Sequence, residues 1–268
     1  MSIKKTIFNY CSAFITLFIL MLSVLSFESN AGSQNKINNQ LDVETLVRFS
    51  KNVERTAAQH GARAFIIARK GRVDADLPKG ITYTHTAVAI YSMITTADGK
   101  QLPGYAIYNL YQNEGDLGRS SLIVDYPVDF FAASEKLQAG IIIPKPALQQ
   151  KLVELVHSGD YKSLHNPEYS LIANPFTSQF QNCTEFTLDM INAALYQTVD
   201  IKQLKANSKA YFKPQYVAKR LKIKMAAMLT NFVHFDDHQG QLNTATFTTI
   251  ANYLRQNQLV DHEFTLVP

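Results

Sequence analysis

The pattern of apolar and polar positions changes character several times along this chain. A nearly uncharged apolar run extends from Phe14 to Phe27, preceded by Lys4 and Lys5 and followed by Ser29-Asn30-Ala31, where small residues occupy the positions a signal peptidase reads. This predicts a signal peptide over residues 1–31, with Gly32 opening the mature chain. The run is shorter than the roughly 20 apolar residues a membrane span needs, so no stable span is expected after its removal. Residues 32–41 are polar and read as a flexible lead-in. From Val43 to His60, Leu46, Val47, Val53 and Ala57 recur at helical spacing, with Asp42 as cap and Gly61 as stop.

Strand signals follow. Ala64–Ala68 is a short continuous apolar run, as expected of a strand buried on both faces. Tyr83–Tyr91 alternates, with His85, Ala87, Ala89 and Tyr91 on one face and Thr86, Val88 and Ile90 on the other. Asp98-Gly99 and Pro103-Gly104 punctuate the connection to a strand over Tyr105–Tyr111. Further strands are predicted at Ser121–Val124 and Ile141–Ile143. A helix is predicted over Pro146–His157, with Leu148, Leu152, Leu155 and Val156 on one face and Gly159 ending it. After an irregular stretch (165–181), a strong helix begins near Asn182. The remainder, from about residue 200 to 268, reads as a mostly helical, lysine-rich extension. The class is α+β: one domain over 42–268, with a small, largely antiparallel sheet packed against helices.

Composition narrows the chemistry. The chain has 268 residues, 46% hydrophobic and 18% charged, with a net charge of +4 that falls to +3 when the leader takes two lysines and one glutamate. That is enough chain for a real core and too little charge for a nucleic-acid binder. The two cysteines exclude a zinc ribbon or a Cys-ligated cluster. Cys11 lies in the leader, and the Phe8-Asn9-Tyr10 before it lacks the small residues of a lipidation site. An exported mature chain would therefore carry Cys183 alone.

Cys183 follows Asn182, and Glu185 stands three residues after that asparagine, the spacing of a capping box. The first turn of a helix offers unpaired amides and a positive dipole end, which favour a thiolate and can receive an oxyanion. Asn182-Cys183-Thr184 also fits a glycosylation sequon, but a sugar on the cap of a packed helix is not expected. A nucleophilic thiol needs a base. Of seven histidines, His60, His157, His165 and His262 lie at helix ends, in loops or near the terminus. His234, Asp236, Asp237 and His238 cluster without a further well-spaced ligand and read as a solvated loop; no metal or other cofactor is implied. His85 differs, because it lies in a strand beside small residues that would let the Cys183 helix approach its face.

Thr84-His85-Thr86-Ala87-Val88-Ala89-Ile90, preceded by Arg69 and Gly71, resembles the histidine strand of circularly permuted NlpC-type papain-like proteins. Asn182-Cys183-Thr184-Glu185-Phe186 resembles their nucleophile helix. With Tyr108-Asn109-Leu110, Asp129-Phe130-Phe131 and Asn174-Pro175, the pattern over roughly 43–220 is similar to an uncharacterised family of exported bacterial proteins, domain of unknown function 2145. The resemblance implies a papain-like fold with a Cys–His pair and leaves the substrate open, since relatives of the fold include peptidoglycan peptidases, amidases and lipid acyltransferases.

Such a pair wants a third residue to orient the histidine, and Asn109 is the matching position. A hairpin symmetric about Asp98-Gly99 would instead pair 85 with 112, turn Asn109 away and favour Gln112; asymmetry at Pro103-Gly104 would restore Asn109. Gln181 is a candidate oxyanion donor. The expectation is an exported, periplasmic or secreted, cysteine-dependent hydrolase or acyltransferase acting on an amide or ester. A cell-wall peptide is the substrate that compartment suggests, and an acylated lipid the other. The rival is a non-catalytic periplasmic binding or assembly protein that keeps the fold, its basic C-terminal region facing a partner or simply solvent.

Overall fold

The computed structural model describes residues 41–72, 77–96, 98–217 and 230–268. The leader, Cys11 and all but the last residue of the polar lead-in lie outside the described residues. Helix α1 (Val43–Gln59) starts where Asp42 accepts the Thr45 amide at 2.8 Å and stops before Gly61, whose φ of 65° suits glycine. Strand β1 (Ala64–Lys70) is buried along its whole length. Strands β2 (His85–Thr95), β3 (Gln101–Gln112) and β4 (Ser120–Asp125) form a meander. A one-and-a-half-turn helix α2 (Pro127–Ala132) leads into β5 (Lys136–Pro144) and helix α3 (Pro146–His157), whose first position is held by proline. Helices α4 (Cys183–Tyr196) and α5 (Ile201–Tyr211), a two-stranded ribbon of β6 (Gln215–Val217) and β7 (Leu242–Thr244), helix α6 (Phe247–Gln256) and strand β8 (Val260–Leu266) complete the order.

The main sheet has six strands in the order β4-β3-β2-β1-β5-β8, every pair antiparallel. Both faces are covered, so β1 and the first half of β2 show no exposed positions. On one face Ile66, Val88, Ile90 and Leu110 pack with Leu148 and Leu152 of α3, Phe186 and Met190 of α4, and Ile250 of α6. On the other, Phe65, Ile67, Ala87, Ala89 and Ile107 pack with Phe49 and Val53 of α1 and with Phe130 and Phe131 of α2. Each core removes its apolar area from water at about 25 cal/mol per Å², the main stabilising term.

The chain beyond residue 200 departs from the helical reading. Among the described residues it contributes two helices, and then β8 joins the edge of the main sheet beside β5. Its inward positions Val260, His262, Phe264 and Leu266 alternate with exposed Asp261, Glu263 and Thr265, the period of a half-covered edge strand. Gly140 of β5 serves a close approach: a Cβ there would lie 2.7 Å from the Tyr83 ring and 2.8 Å from Phe247. The two rings meet edge to face at 4.9 Å, and the Tyr83 hydroxyl lies 3.1 Å from Thr265 Oγ1. The segment just before His85 is thereby anchored to β5 and β8. Among the described residues no helix is long and apolar enough to cross a membrane.

Candidate active site

His85 opens β2, and the hairpin register decides what surrounds it. Thr95 pairs with Gln101 and Val88 with Tyr108, one residue away from symmetry about Asp98-Gly99. That single step keeps Asn109 on the same face as His85 and sends Gln112 to the other, where its amide donates to Leu117 O at 2.7 Å. Asn109 Oδ1 lies 2.9 Å from His85 Nε2, while its Nδ2 donates to Ile107 O at 2.9 Å and reaches Asp125 Oδ2 at 3.4 Å. Because Oδ1 can only accept, Nε2 carries the proton and Nδ1 holds the lone pair. Nδ1 is buried and has no hydrogen-bond partner among the described residues.

The imidazole is fully buried among aromatic groups. Tyr111 stacks on it at 4.7 Å with 4° between the planes, and Phe130 lies at 5.5 Å. The Tyr111 hydroxyl donates to Asp125 Oδ2 at 2.5 Å, so one carboxylate receives both the ring that stacks on His85 and the amide that bonds it. Arg69, opposite His85 on β1, donates to Phe130 O and holds its guanidinium carbon 5.6 Å from the Tyr111 ring centre. Burial first, and Arg69 second, hold the His85 pKa well below the ordinary histidine value, outweighing the Asn109 hydrogen bond. The ring is neutral.

Cys183 opens α4. Asn182 caps the helix, accepting the Glu185 amide and the Thr184 hydroxyl at 3.0 Å each. The reciprocal arm of a capping box is missing, because the Glu185 side chain turns inward to Lys205. Cys183 is 5% exposed and buried, not presented at a polar surface. It points to Thr84 O at 3.9 Å and feels the Thr86 amide, so it rests on the two peptides that flank His85. Burial pushes its pKa up, against smaller opposing effects of the Thr86 amide and Arg69, so the resting group is a thiol and not the thiolate a helix start alone would favour.

The approach of the helix differs from expectation in one respect. Helix α4 packs on the Thr86, Val88 and Ile90 face, with Thr187 Oγ1 bonded to Thr86 O at 3.2 Å, whereas the His85 ring lies on the face covered by α1 and α2. Bulky Phe186, Met190 and Ile191 claim the face with the larger core, and the small residues beside His85 receive α1. Cys183 and His85 are therefore neighbours through the start of β2, with no hydrogen bond between them.

The remaining candidates have other employment. Gln181 donates both amide hydrogens, to Leu164 O at 3.0 Å and Asp189 Oδ2 at 2.9 Å, and accepts the Asn166 amide, which leaves nothing for an oxyanion. Asp237 and His238 are buried and lie 3.2 Å apart; the Asp237 carboxylate accepts the Asn174 amide and His238 Nε2 meets Ile172 O at 2.9 Å. They fasten a loop and are not solvated. His234 stacks on Phe180, His165 Nε2 lies 3.1 Å from Ser120 Oγ, and the rings of His60 and His262 meet at 4.4 Å. Among the described residues no group of three or more His, Cys, Asp or Glu side chains is arranged to hold a metal.

One further residue stands by the thiol. Tyr169 pairs in parallel with Gln181, and Leu171 O accepts Asn182 Nδ2 at 3.1 Å, which lays the 169–171 segment alongside 181–183. The phenol is buried, and close enough for the Cys183 charge to raise its pKa further after burial has done so. Tyr169, Tyr111, Asp125 and Arg69 gave no sequence signal as a group, because each is placed by register or packing and not by local spacing.

Fold and site define an α+β protein with a buried thiol, an imidazole and a carboxamide gathered at the start of one strand. A family model described as an uncharacterized protein conserved in bacteria, domain of unknown function 2145, matches residues 56–254, and the chain belongs to that family. No curated protein and no solved structure matches it.

Proposed function

We propose that this protein is an exported, periplasmic or secreted, cysteine-dependent hydrolase or acyltransferase of the circularly permuted NlpC-type papain-like group, acting on an amide or ester. The observation that carries the reading is the His85 tautomer: Asn109 takes Nε2 and leaves a base at Nδ1, beside a thiol seated on the flanking peptides. Productive chemistry requires the thiol to leave Thr84 O and pass the end of β2, because Nδ1 belongs to a ring on the opposite face of the sheet. The proton then passes to the imidazole as Sγ attacks the carbonyl carbon. Asn109 holds the ring through this change of charge. The negative oxygen of the tetrahedral intermediate is received by the Cys183 and Thr184 amides at the helix start and by the Tyr169 hydroxyl. The imidazolium returns its proton to the leaving amine or alcohol, giving a thioester. Water or an acceptor hydroxyl or amine, deprotonated by His85, then releases the acyl group and restores the thiol.

A cell-wall peptide is the leading substrate by compartment alone. Incubating the protein with stem peptides and with short acyl esters, followed by mass spectrometry, should show an acyl adduct on Cys183 that is absent in Cys183→Ser and in His85→Ala. Absence of any adduct or product across both substrate classes would contradict the reading. One observation favours the rival, a non-catalytic periplasmic binding or assembly protein: the thiol is buried and already donates to a backbone carbonyl.

A further inference from the structure

Passing a proton from the thiol to the imidazole separates two charges in a buried site, and the surroundings treat them unequally. Burial works against both. Beyond that, Arg69, opposite His85 on β1, favours the thiolate at Cys183 and opposes the imidazolium at His85. The imidazolium therefore needs support, and Asn109 gives it at one end only, through the carbonyl oxygen on Nε2.

Tyr111 is placed to give more. Its ring lies parallel to the imidazole, with 4° between the planes and 4.7 Å between the centres. That is inside the roughly 6 Å over which an aromatic face attracts a cation. Both side chains are buried, so little water screens the attraction. Phe130 of α2, the other aromatic neighbour, is tilted by 44° at 5.5 Å and offers no parallel face. The far end of the phenol is tied down as well. Its hydroxyl donates to Asp125 Oδ2 at 2.5 Å, and Asp125 is itself buried. Burial holds the phenol proton well above the usual tyrosine range; Arg69 opposes this and Asp125 adds to it, so the hydroxyl stays a donor. Giving that proton to a carboxylate leaves electron density on the ring and strengthens the negative face that meets His85. The Cys183 charge also acts on Tyr111, so the phenol stands near both partners of the proton transfer.

We infer that Tyr111 is a positioning residue of this site: tied to Asp125 and stacked on His85, it fixes the plane of the imidazole and stabilises its protonated form through a cation–π contact. The part this plays in acyl transfer rests on the Cys–His reading; the effect on His85 itself does not. Arg69 on β1, Asp125 on β4 and Cys183 at the start of α4 are the other charged or titratable groups described around the ring, and the test leaves all three in place.

Nuclear magnetic resonance of the full chain carrying isotope-labelled histidine follows the His85 ring nitrogens across pH, their signals identified by loss in His85→Gln. Tyr111→Leu, which removes the aromatic face, should lower the His85 titration midpoint by about 1 pH unit, and Tyr111→Phe, which loses only the tie to Asp125, by less. Loosened packing alone would admit water and move the midpoint upward. Iodoacetamide labelling of Cys183 at neutral pH should slow in the same order, about tenfold for Tyr111→Leu. Should Tyr111→Leu fail to fold, Tyr111→Phe decides alone. A midpoint that stays put or rises would overturn the proposal and leave the stack as packing only. Labelling unchanged in His85→Ala would instead sink the Cys–His reading, and the midpoint would still decide what Tyr111 does to His85.

Discussion

At the scale of single residues, the site turns on which nitrogen of one imidazole is occupied. Asn109 fixes the proton on Nε2 and is itself fixed by Ile107 O and Asp125. Asn109→Ala leaves a buried ring nitrogen without a partner and should cost about 1–3 kcal/mol in urea unfolding. Asn109→Asp keeps the acceptor for His85 but sets a carboxylate oxygen against Ile107 O and Asp125, and should not recover that loss. The neutral, buried ring also sets a pH dependence. His85 has a folded pKa below its unfolded value of about 6.5, so the unfolded chain binds more protons between the two. Stability is therefore full above pH 6.5 and declines as pH falls below it; chemical unfolding midpoints from pH 8 to 5 should flatten in His85→Gln. A slope unchanged by that substitution would show that His85 is not the group responsible. Asn109 was legible as a candidate from sequence, but choosing it over Gln112 required the register, because a one-residue shift in a hairpin reverses every face.

At the scale of elements, α4 is the centre of the molecule, and its start was readable from Asn182 and the apolar run beyond it. Its inward charges were not. Glu185 had the spacing of a capping residue and Lys205 sat in a lysine-rich stretch, yet each is buried because the other is present. Lys205→Met strands two carboxylates in the interior and should cost about 3–5 kcal/mol, read from urea denaturation. Asn182→Ala removes only a cap and should cost about 1 kcal/mol. The order of these two losses is the discriminating result. Strand β8 was missed because the lysine-rich stretch before it suggested helix, although its alternation has the period of an edge strand.

At the scale of the whole molecule, the thiol of Cys183 and the imidazole of His85 arrive from positions 98 residues apart and from opposite faces of one sheet. Periodicity assigned residues to faces but could not say which helix would cover which face; that is settled by volume, the bulky α4 side chains taking the larger core. The close packing extends to Gly140, where valine would push its side chain into the Tyr83 and Phe247 rings. Gly140→Val should lower stability by about 1–3 kcal/mol, visible as a fall in the thermal midpoint, and should loosen the anchor just ahead of His85. The central claim is that the buried His85 base serves the Cys183 thiol. The rate of iodoacetamide labelling at Cys183 against pH, in wild type and His85→Ala, tests it most directly. Labelling near pH 7 that falls about tenfold or more without His85 is the predicted result; two identical profiles rising only above the ordinary thiol pKa of about 8.5 would contradict it.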